Sequence, residues 1–202
     1  MSFASMMEAR ISEAPMGKAF IVSDFTDIMD YETAKKSIAR MEKAGSLRRV
    51  IRGVYDKPRY STLLQEYAAP NPAEIADALA RNYSWTIVPT GNTALNLLGL
   101  STQVPANWSY ISSGPYKKYE IGRVKLDFIH RADRELTGMS DKTKLIIQAI
   151  KELGRERITD SEIRKIRMKL TDDEKSIMIR ESQQTTAWIY SVIKEICSGG
   201  AQ

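Results

Sequence analysis

Residues 33–60 of the 202-residue chain hold the side chains with the most distinctive chemistry. The stretch contains nine cations and two acids, namely Lys35, Lys36, Arg40, Lys43, Arg48, Arg49, Arg52, Lys57 and Arg59 against Glu42 and Asp56. The formal net charge of the whole chain is +5, so the excess of nine cations over two acids in this stretch accounts for all of it. Clustered lysine and arginine neutralise phosphates and release the counterions of nucleic acid. The stretch indicates a nucleic-acid interface, although such charge runs are also typical of a solvated basic surface.

The first half of this stretch has the pattern of an amphipathic helix. Ala34, Ile38 and Met41 recur at helical spacing and predict a buried face, while Gly45 is placed to end the helix in the left-handed conformation. Asp30 is the expected N-cap. The face opposite the apolar residues points outward and offers four side chains to base edges, with Lys43 beside them: Thr33, Lys36, Ser37 and Arg40.

The second half predicts a short β-hairpin that turns at Arg52 and Gly53. Apolar residues on both sides of the turn suit two paired strands. Three arginines, Arg48, Arg49 and Arg52, flank the turn. We expect them to contact the DNA backbone or an adjacent minor groove. This role suits the guanidinium group of arginine better than the ammonium group of lysine.

The residues before the basic helix predict the remaining parts of a DNA-binding domain. The sequence indicates a first helix over residues 2–14, a short strand over residues 19–22, and a short second helix that is capped by Ser23 and ends near Met29. With the basic helix and the hairpin, this order is the layout of a winged helix-turn-helix. We assign this domain to residues 1–59, with the proline-containing residues 60–72 as a linker.

The rest of the chain predicts a second, α+β domain over residues 73–197. Short alternating segments between residues 85 and 129 predict a small, mostly antiparallel sheet with helices beside it, and apolar spacing after Ser140 predicts C-terminal helices. Thr171 and Glu174 form a capping-box sequence at the start of one of them. Residues 198–202 are expected to be a disordered tail.

Composition narrows the class of protein further. The content of 43% hydrophobic and 27% charged residues is ordinary for a globular protein. One cysteine, Cys197, and one histidine, His130, cannot supply an internal disulfide or the usual ligands of a structural zinc site, and we expect no cofactor. The sequence has no apolar run long enough for a membrane span and no secretory signal pattern, so we expect a cytoplasmic protein.

Two other classes of function stay open at this stage. A nucleic-acid-processing enzyme could use Asp127, His130 and Asp133 near the end of one predicted strand. The chain lacks a phosphate-binding glycine loop and the Gly-x-Ser-x-Gly hydrolase motif, so catalysis is not expected. Alternatively, the basic hairpin could contact RNA or an acidic protein.

Two segments carry a resemblance to a known family. They are LRRVIRGVY at residues 47–55 and GNTALNLLGLSTQVP at residues 91–105. With the surrounding sequence, from residue 20 to residue 196, they resemble the DUF6088 group, which is related to the AbiEi-type antitoxins of type IV toxin–antitoxin systems. The first segment also occurs in other winged-helix regulators, whereas the second is specific to a much smaller set of proteins.

The resemblance implies a two-domain transcriptional regulator without catalytic activity. In such antitoxins the N-terminal winged helix represses its own operon, and the C-terminal domain is associated with countering a nucleotidyltransferase-like toxin. By position, the DNA-contacting elements of the family fall here on Thr33, Lys36, Ser37, Arg40, Lys43, Arg48, Arg49 and Arg52. Two copies, as a dimer or as cooperatively bound monomers, are expected on an inverted repeat of operator DNA.

Overall fold

A computed structural model describes residues 2–131 and 138–198 of the chain. The described residues form eight α-helices and nine short strands, which confirms the α+β class. They divide into two compact units. The first comprises the described residues up to Trp85 together with Glu120–Arg123, and the second comprises Thr86–Tyr119 and the described residues from Val124 onward.

The first unit begins with helices and strands in the predicted order. Its elements are α1 (Phe3–Glu13), β1 (Ala19–Phe20), a 3₁₀ turn (Val22–Phe25), α2 (Tyr31–Lys43), β2 (Arg48–Ile51), β3 (Val54–Asp56), β4 (Tyr60–Ser61), β5 (Glu66–Tyr67) and α3 (Pro72–Tyr83). Strands β1, β3 and β2 form an antiparallel sheet with β3 in the centre. The core below contains Met7, Ile11, Phe20, Val22, Phe25, Ile28, Met29, Ala34, Ile38 and Leu47.

The predicted second helix is shorter than expected. A four-residue 3₁₀ turn over Val22–Phe25 takes its place, and the capping residue is Ile21 rather than Ser23. The Asp24 carboxylate accepts a hydrogen bond from the Ile21 amide at 3.0 Å. This hydrogen bond stabilises the turn, because an aspartate side chain readily accepts from the backbone amide three residues before it.

Helix α3 lies within the first unit, whereas the sequence predicts that a second domain starts at residue 73. Arg81 of α3 donates two hydrogen bonds to Asp24, at 3.0 and 3.1 Å, and a third to the carbonyl of Ala19. Glu74 accepts from the Ala19 amide and pairs with Lys18. These contacts fix α3 against β1 and the 3₁₀ turn. The segment predicted as a linker, residues 60–72, contains the two-stranded hairpin β4–β5.

The second unit contains a four-stranded sheet and five helices. Its elements are β6 (Ile87–Pro89), α4 (Gly91–Leu97), β7 (Asn107–Ser112), β8 (Lys117–Ile121), β9 (Val124–His130), α5 (Asp141–Leu153), α6 (Asp160–Arg167), α7 (Asp172–Glu181) and α8 (Ala187–Cys197). The strand order is β6-β7-β9-β8. Residues 120 and 121 belong to the first unit, and they are the last two residues of β8.

The sheet of the second unit, which the sequence predicts to be mostly antiparallel, contains a parallel strand pair. Strands β6 and β7 are antiparallel, but β7 and β9 run parallel over six residue pairs. After β7 the chain crosses to the far side and returns as β9 between β7 and β8. Strand β9 takes a central position because its alternate residues Leu126 and Phe128 are apolar and become fully buried there.

The helices α5 to α8 form the larger core of the second unit. Buried residues from α4 to α8 contribute to it: Ala94, Leu98, Ile146, Ile147, Ala149, Ile150, Ile163, Ile166, Leu170, Met178, Ile189, Ile193 and Ile196. The predicted capping box of Thr171 and Glu174 is confirmed at the start of α7. In the described part of the chain, no helix is both long and apolar enough to cross a bilayer.

The Glu181 carboxylate joins the end of α7 to the start of α5. It accepts hydrogen bonds from the amide and the hydroxyl of Ser140, at 3.0 and 2.8 Å. Burial raises the pKa of Glu181, but hydrogen bonds from Thr143 and Ser140 and the charge of Lys144 outweigh it, so the pKa lies below its usual value. The negative charge also suits the positive end of the α5 dipole.

We expect the Glu181→Gln substitution to lower the free energy of unfolding at pH 7 by about 1 kcal/mol, because neutral glutamine accepts weaker hydrogen bonds. A lowered folded-state pKa gives stability that is present above the unfolded pKa of about 4.3 and is lost as the pH falls through the folded value. The substitution should therefore also reduce the loss of stability on acidification. Urea unfolding from about pH 7 to about pH 3 measures both effects.

Glu156→Gln is the matched control, because Glu156 is exposed in the connection between α5 and α6. This control should unfold like the wild type. Equal pH dependence of the Glu181 variant and the wild type would contradict the assigned role of Glu181.

Candidate nucleic-acid interface

Helix α2 has one buried and one charged face, as predicted. Ala34 and Ile38 are fully buried, and Met41 packs against the same core. Thr33, Lys36, Arg40 and Lys43 are exposed. Since residues three and four apart share a helix face, the exposed residues form one stripe along α2.

Hydrogen bonds at both ends of α2 fix its length. At the start, the Asp30 carboxylate accepts from the Thr33 amide at 3.0 Å, which confirms the predicted cap. Hydrogen bonds from the Thr33 side chain and amide lower the pKa of Asp30, so this carboxylate stays charged beside the positive end of the helix dipole.

At the other end, Gly45 takes a left-handed conformation with φ of 78°, as predicted. The amides of Gly45 and Ser46 donate to the carbonyls of Glu42 and Met41, which is the Schellman pattern. The Leu47 amide also donates to Met41, and the Leu47 side chain is buried. These bonds determine how the chain leaves α2 and enters β2.

Ser37 does not belong to the exposed stripe, although the sequence predicts it to face base edges. It is only 3% exposed, and its hydroxyl donates to the Met29 sulfur at 3.9 Å. The same oxygen accepts from Arg40 Nη2 at 3.0 Å. Ser37 lies at the border of the apolar face, where a small side chain is readily covered. Its position suits a support for Arg40 rather than a contact to DNA.

The hairpin β2–β3 presents two of its three arginines to solvent. Gly53, with φ of 82°, forms the turn, and Arg52 beside it is exposed. Arg49 is exposed on β2, which is an edge strand of its sheet. The register of β2 with β3 shifts between Arg49 and Ile51. Such a bulge increases the local twist and redirects the side chains near the tip.

Arg48 serves the fold, although the sequence places it with the DNA-contacting arginines. Its Nε and Nη2 donate to the two carboxylate oxygens of Asp56, at 3.0 and 2.6 Å, and its Nη1 donates to the carbonyl of Ala68 at 3.0 Å. Asp56 is buried, with 1% exposure. Arg48 and Asp56 are directly opposed across the two strands, so their side chains lie on the same face.

Five cations of the predicted interface are exposed and have no carboxylate partner within ion-pair distance among residues 2–131 and 138–198. They are Lys36, Arg40, Lys43, Arg49 and Arg52. Other cations of the basic stretch are paired: Lys35 lies 3.6 Å from Glu32, and Lys57 donates to the carbonyls of Ser12 and Ala14. The helix and the hairpin therefore both retain positive charge that can neutralise phosphates.

A groove beside the exposed stripe was missed by the sequence analysis. It has a volume of about 1080 Å³ and lies between α1, the C-terminal half of α2 and residues 57–67. Arg40, Arg59, Tyr60 and Tyr67 are among its lining residues, and we refer to it as the tyrosine groove. The signal in the sequence is the Arg-Tyr pair at residues 59–60, but it lies in the predicted linker.

The residues of the alternative catalytic site do not form one cluster. Asp127 and His130 are three residues apart on β9, so their side chains lie on opposite faces of the sheet. Asp127 accepts from Asn107 at 2.5 Å, whereas His130 Nδ1 lies 2.9 Å from the carbonyl oxygen of Gly114 and must donate to it. Asp133 lies outside the described residues. No group of three or more metal-ligating acids, histidines or cysteines occurs in the part that the structure describes.

We expect Arg48→Ala to destabilise the protein by about 3 kcal/mol, because it leaves the buried Asp56 carboxylate without its cation. The neighbouring Arg49→Ala is the matched control and should change the free energy of unfolding by less than about 0.5 kcal/mol. Urea unfolding of both variants measures the difference. Equal losses in the two variants would show that Arg48 has no special structural role.

Comparisons with known proteins place the chain in a family. No match was found among curated proteins. The crystal structure of the RV2827C protein from Mycobacterium tuberculosis is similar at 12% sequence identity and a TM-score of 0.42, covering 99% of this chain and 78% of that chain. A likeness of this size carries no argument about function. The model of the family of unknown function DUF6088 matches residues 6–178. The chain belongs to this family.

Proposed function

We propose that this protein is a DNA-binding transcriptional regulator whose first unit is a winged helix-turn-helix. In this proposal α2 enters the major groove and the hairpin β2–β3 is the wing. The observation that carries it is the stripe of exposed side chains on α2. The opposite face of α2 is buried in the core, and the basic hairpin lies in the same compact unit. A rigid helix with cations on its outer face is what groove recognition requires.

The order of elements supports this assignment. A helix, a strand, a short helical turn, a second helix and a hairpin follow one another, and the three strands form one antiparallel sheet. The Schellman bonds after α2 lead directly into the hairpin. The helix and the hairpin are thus held in a fixed relation, which lets their cations contact one duplex together.

The exposed residues divide by the contacts that they suit. Lys36 and Arg40 lie in the middle of the stripe on α2 and are proposed to reach base edges, with Thr33 beside them. Lys43, Arg49 and Arg52 are proposed to contact phosphates, where positive charge rather than hydrogen-bond pattern matters. Ser37 and Arg48 are assigned to support, because their polar groups bond to neighbours within the fold.

The cellular role that we propose is that of an antitoxin which represses its own operon. This rests on the resemblance to AbiEi-type antitoxins, carried by residues 47–55 and 91–105. The second unit would then counter a nucleotidyltransferase-like toxin. Two copies on an inverted repeat would give the affinity that a single winged helix lacks at physiological salt.

We expect the double substitution Arg40→Ala with Arg52→Ala to weaken binding to DNA from the chain's own promoter by roughly tenfold or more. It should also reduce the slope of log affinity against log salt by about 1, because Arg52 is the proposed phosphate contact of the pair and about one counterion is released for each phosphate contact. Fluorescence anisotropy of a labelled duplex at several salt concentrations measures both quantities.

The matched control is Arg155→Ala with Arg164→Ala, which removes two exposed cations from the second unit. The control should bind DNA like the wild type if α2 and the hairpin form the interface. An unchanged affinity and salt slope in the Arg40 and Arg52 variant would refute the proposed interface.

The antitoxin role predicts a toxin gene beside the gene for this chain. We expect a nucleotidyltransferase-like protein to be encoded there, and its expression alone to slow growth that co-expression of this chain restores. The Arg40 and Arg52 variant should still restore growth when expressed from an independent promoter. Absence of such a neighbour, or failure of the wild-type chain to restore growth, would exclude this role while leaving DNA binding intact.

A further inference from the structure

The tyrosine groove combines apolar and charged lining residues, and contacts to a DNA duplex do not require the apolar ones. Its floor includes Ile11, which is 4% exposed, and Met41. Phosphate contacts form on open surfaces and need no apolar floor, whereas small-molecule sites combine apolar walls with a few directed polar groups. The groove therefore has the composition of a site for a small ligand.

Two guanidinium groups give the groove its charge preference. Arg40 and Arg59 both line it, and neither has a carboxylate partner within ion-pair distance in the described part of the chain. Lys57 adds a third positive charge, and Glu8 is the one acid among the lining residues. A guanidinium group matches a phosphate with two parallel hydrogen bonds, so this lining favours a phosphate-bearing ligand.

Two tyrosines give the groove an aromatic wall. Tyr60 and Tyr67 are paired across β4 and β5, and their ring centroids lie 5.2 Å apart in an edge-to-face arrangement. They are 51% and 57% exposed, although aromatic rings are usually buried more deeply. An exposed aromatic face beside arginines is the arrangement on which nucleobases stack.

We propose that the tyrosine groove binds a free nucleotide, with its phosphate on Arg40 and Arg59 and its base against Tyr60 and Tyr67. Arg40 lies both in the groove and on the exposed stripe of α2. An occupied groove would therefore withdraw Arg40 from DNA and lower the affinity for the operator. Nucleotide binding stands on the groove alone, whereas this regulatory consequence rests on the proposed function.

Isothermal titration of the full chain with AMP, GMP, CMP and UMP and their diphosphates, without DNA, tests the site. We expect saturable binding of at least one nucleotide, and weaker binding of the matching nucleoside and of inorganic phosphate. Arg59→Ala and Tyr67→Leu should each weaken binding by about tenfold. The control Arg52→Ala lies outside the groove and should bind nucleotide like the wild type.

Three results would overturn the nucleotide site. They are no binding of any of these nucleotides at millimolar concentration, equal binding by the groove variants and the wild type, and tighter binding of a short single-stranded oligonucleotide than of every mononucleotide. A melting curve of each variant confirms that loss of binding is not loss of folding.

A second titration separates the site from the proposed function. Saturating nucleotide should weaken binding to promoter DNA by about tenfold in the wild type. Tyr67→Leu should bind DNA normally and should need about tenfold more nucleotide to show this effect. Nucleotide binding without any DNA binding would keep the site and reject the regulator, and DNA binding without nucleotide binding would do the reverse.

Discussion

The ion pair between Arg48 and Asp56 links the three-stranded sheet of the first unit to the chain after β5. Asp56 lies on the central strand β3, opposite Ala19 of β1 on one side and Arg48 of β2 on the other. Its carboxylate is buried and needs a fixed cation nearby. Arg48 supplies that cation and also binds the Ala68 carbonyl, so the pair joins the hairpin to the chain that follows β5.

This constraint determines which positive charges remain for other uses. One arginine of the hairpin and one lysine after it are bonded within the fold. Exposed cations remain on the outer face of α2, on the hairpin at Arg49 and Arg52, and after it at Arg59. The core below α2 and the Schellman bonds at its end fix the direction of that face. Positive charge is thus displayed on rigid elements, as the proposed DNA-binding surface requires.

Much of this arrangement could be predicted from sequence because it depends on local patterns. The spacing of Ala34, Ile38 and Met41, the cap at Asp30 and the left-handed Gly45 are read from a few neighbouring residues, and all three are confirmed. The different fates of Arg48 and Arg49 follow from the alternation of strand side chains. Pairing Arg48 with Asp56, however, requires the register of the hairpin.

Other features depend on contacts that no local pattern contains. Ser37 lies near the edge of the apolar face, and its burial depends on Met29 from the preceding turn. Helix α3 looks like the start of a new domain after three prolines, yet Arg81 and Glu74 bind it to β1 and to the 3₁₀ turn through residues more than 50 positions away. The tyrosine groove could not be predicted either, because the residues that line it come from segments that are separated in the sequence.

Hydrogen exchange of the wild-type chain with and without a duplex from its own promoter tests the central claim most directly. DNA should slow exchange of the amides of α2 and of the hairpin β2–β3, and should leave α5 to α8 unchanged. A scrambled duplex of the same length should protect these amides less at physiological salt. Protection that is confined to the second unit, or that is absent with both duplexes, would contradict the assignment of α2 and the hairpin as a DNA-binding surface.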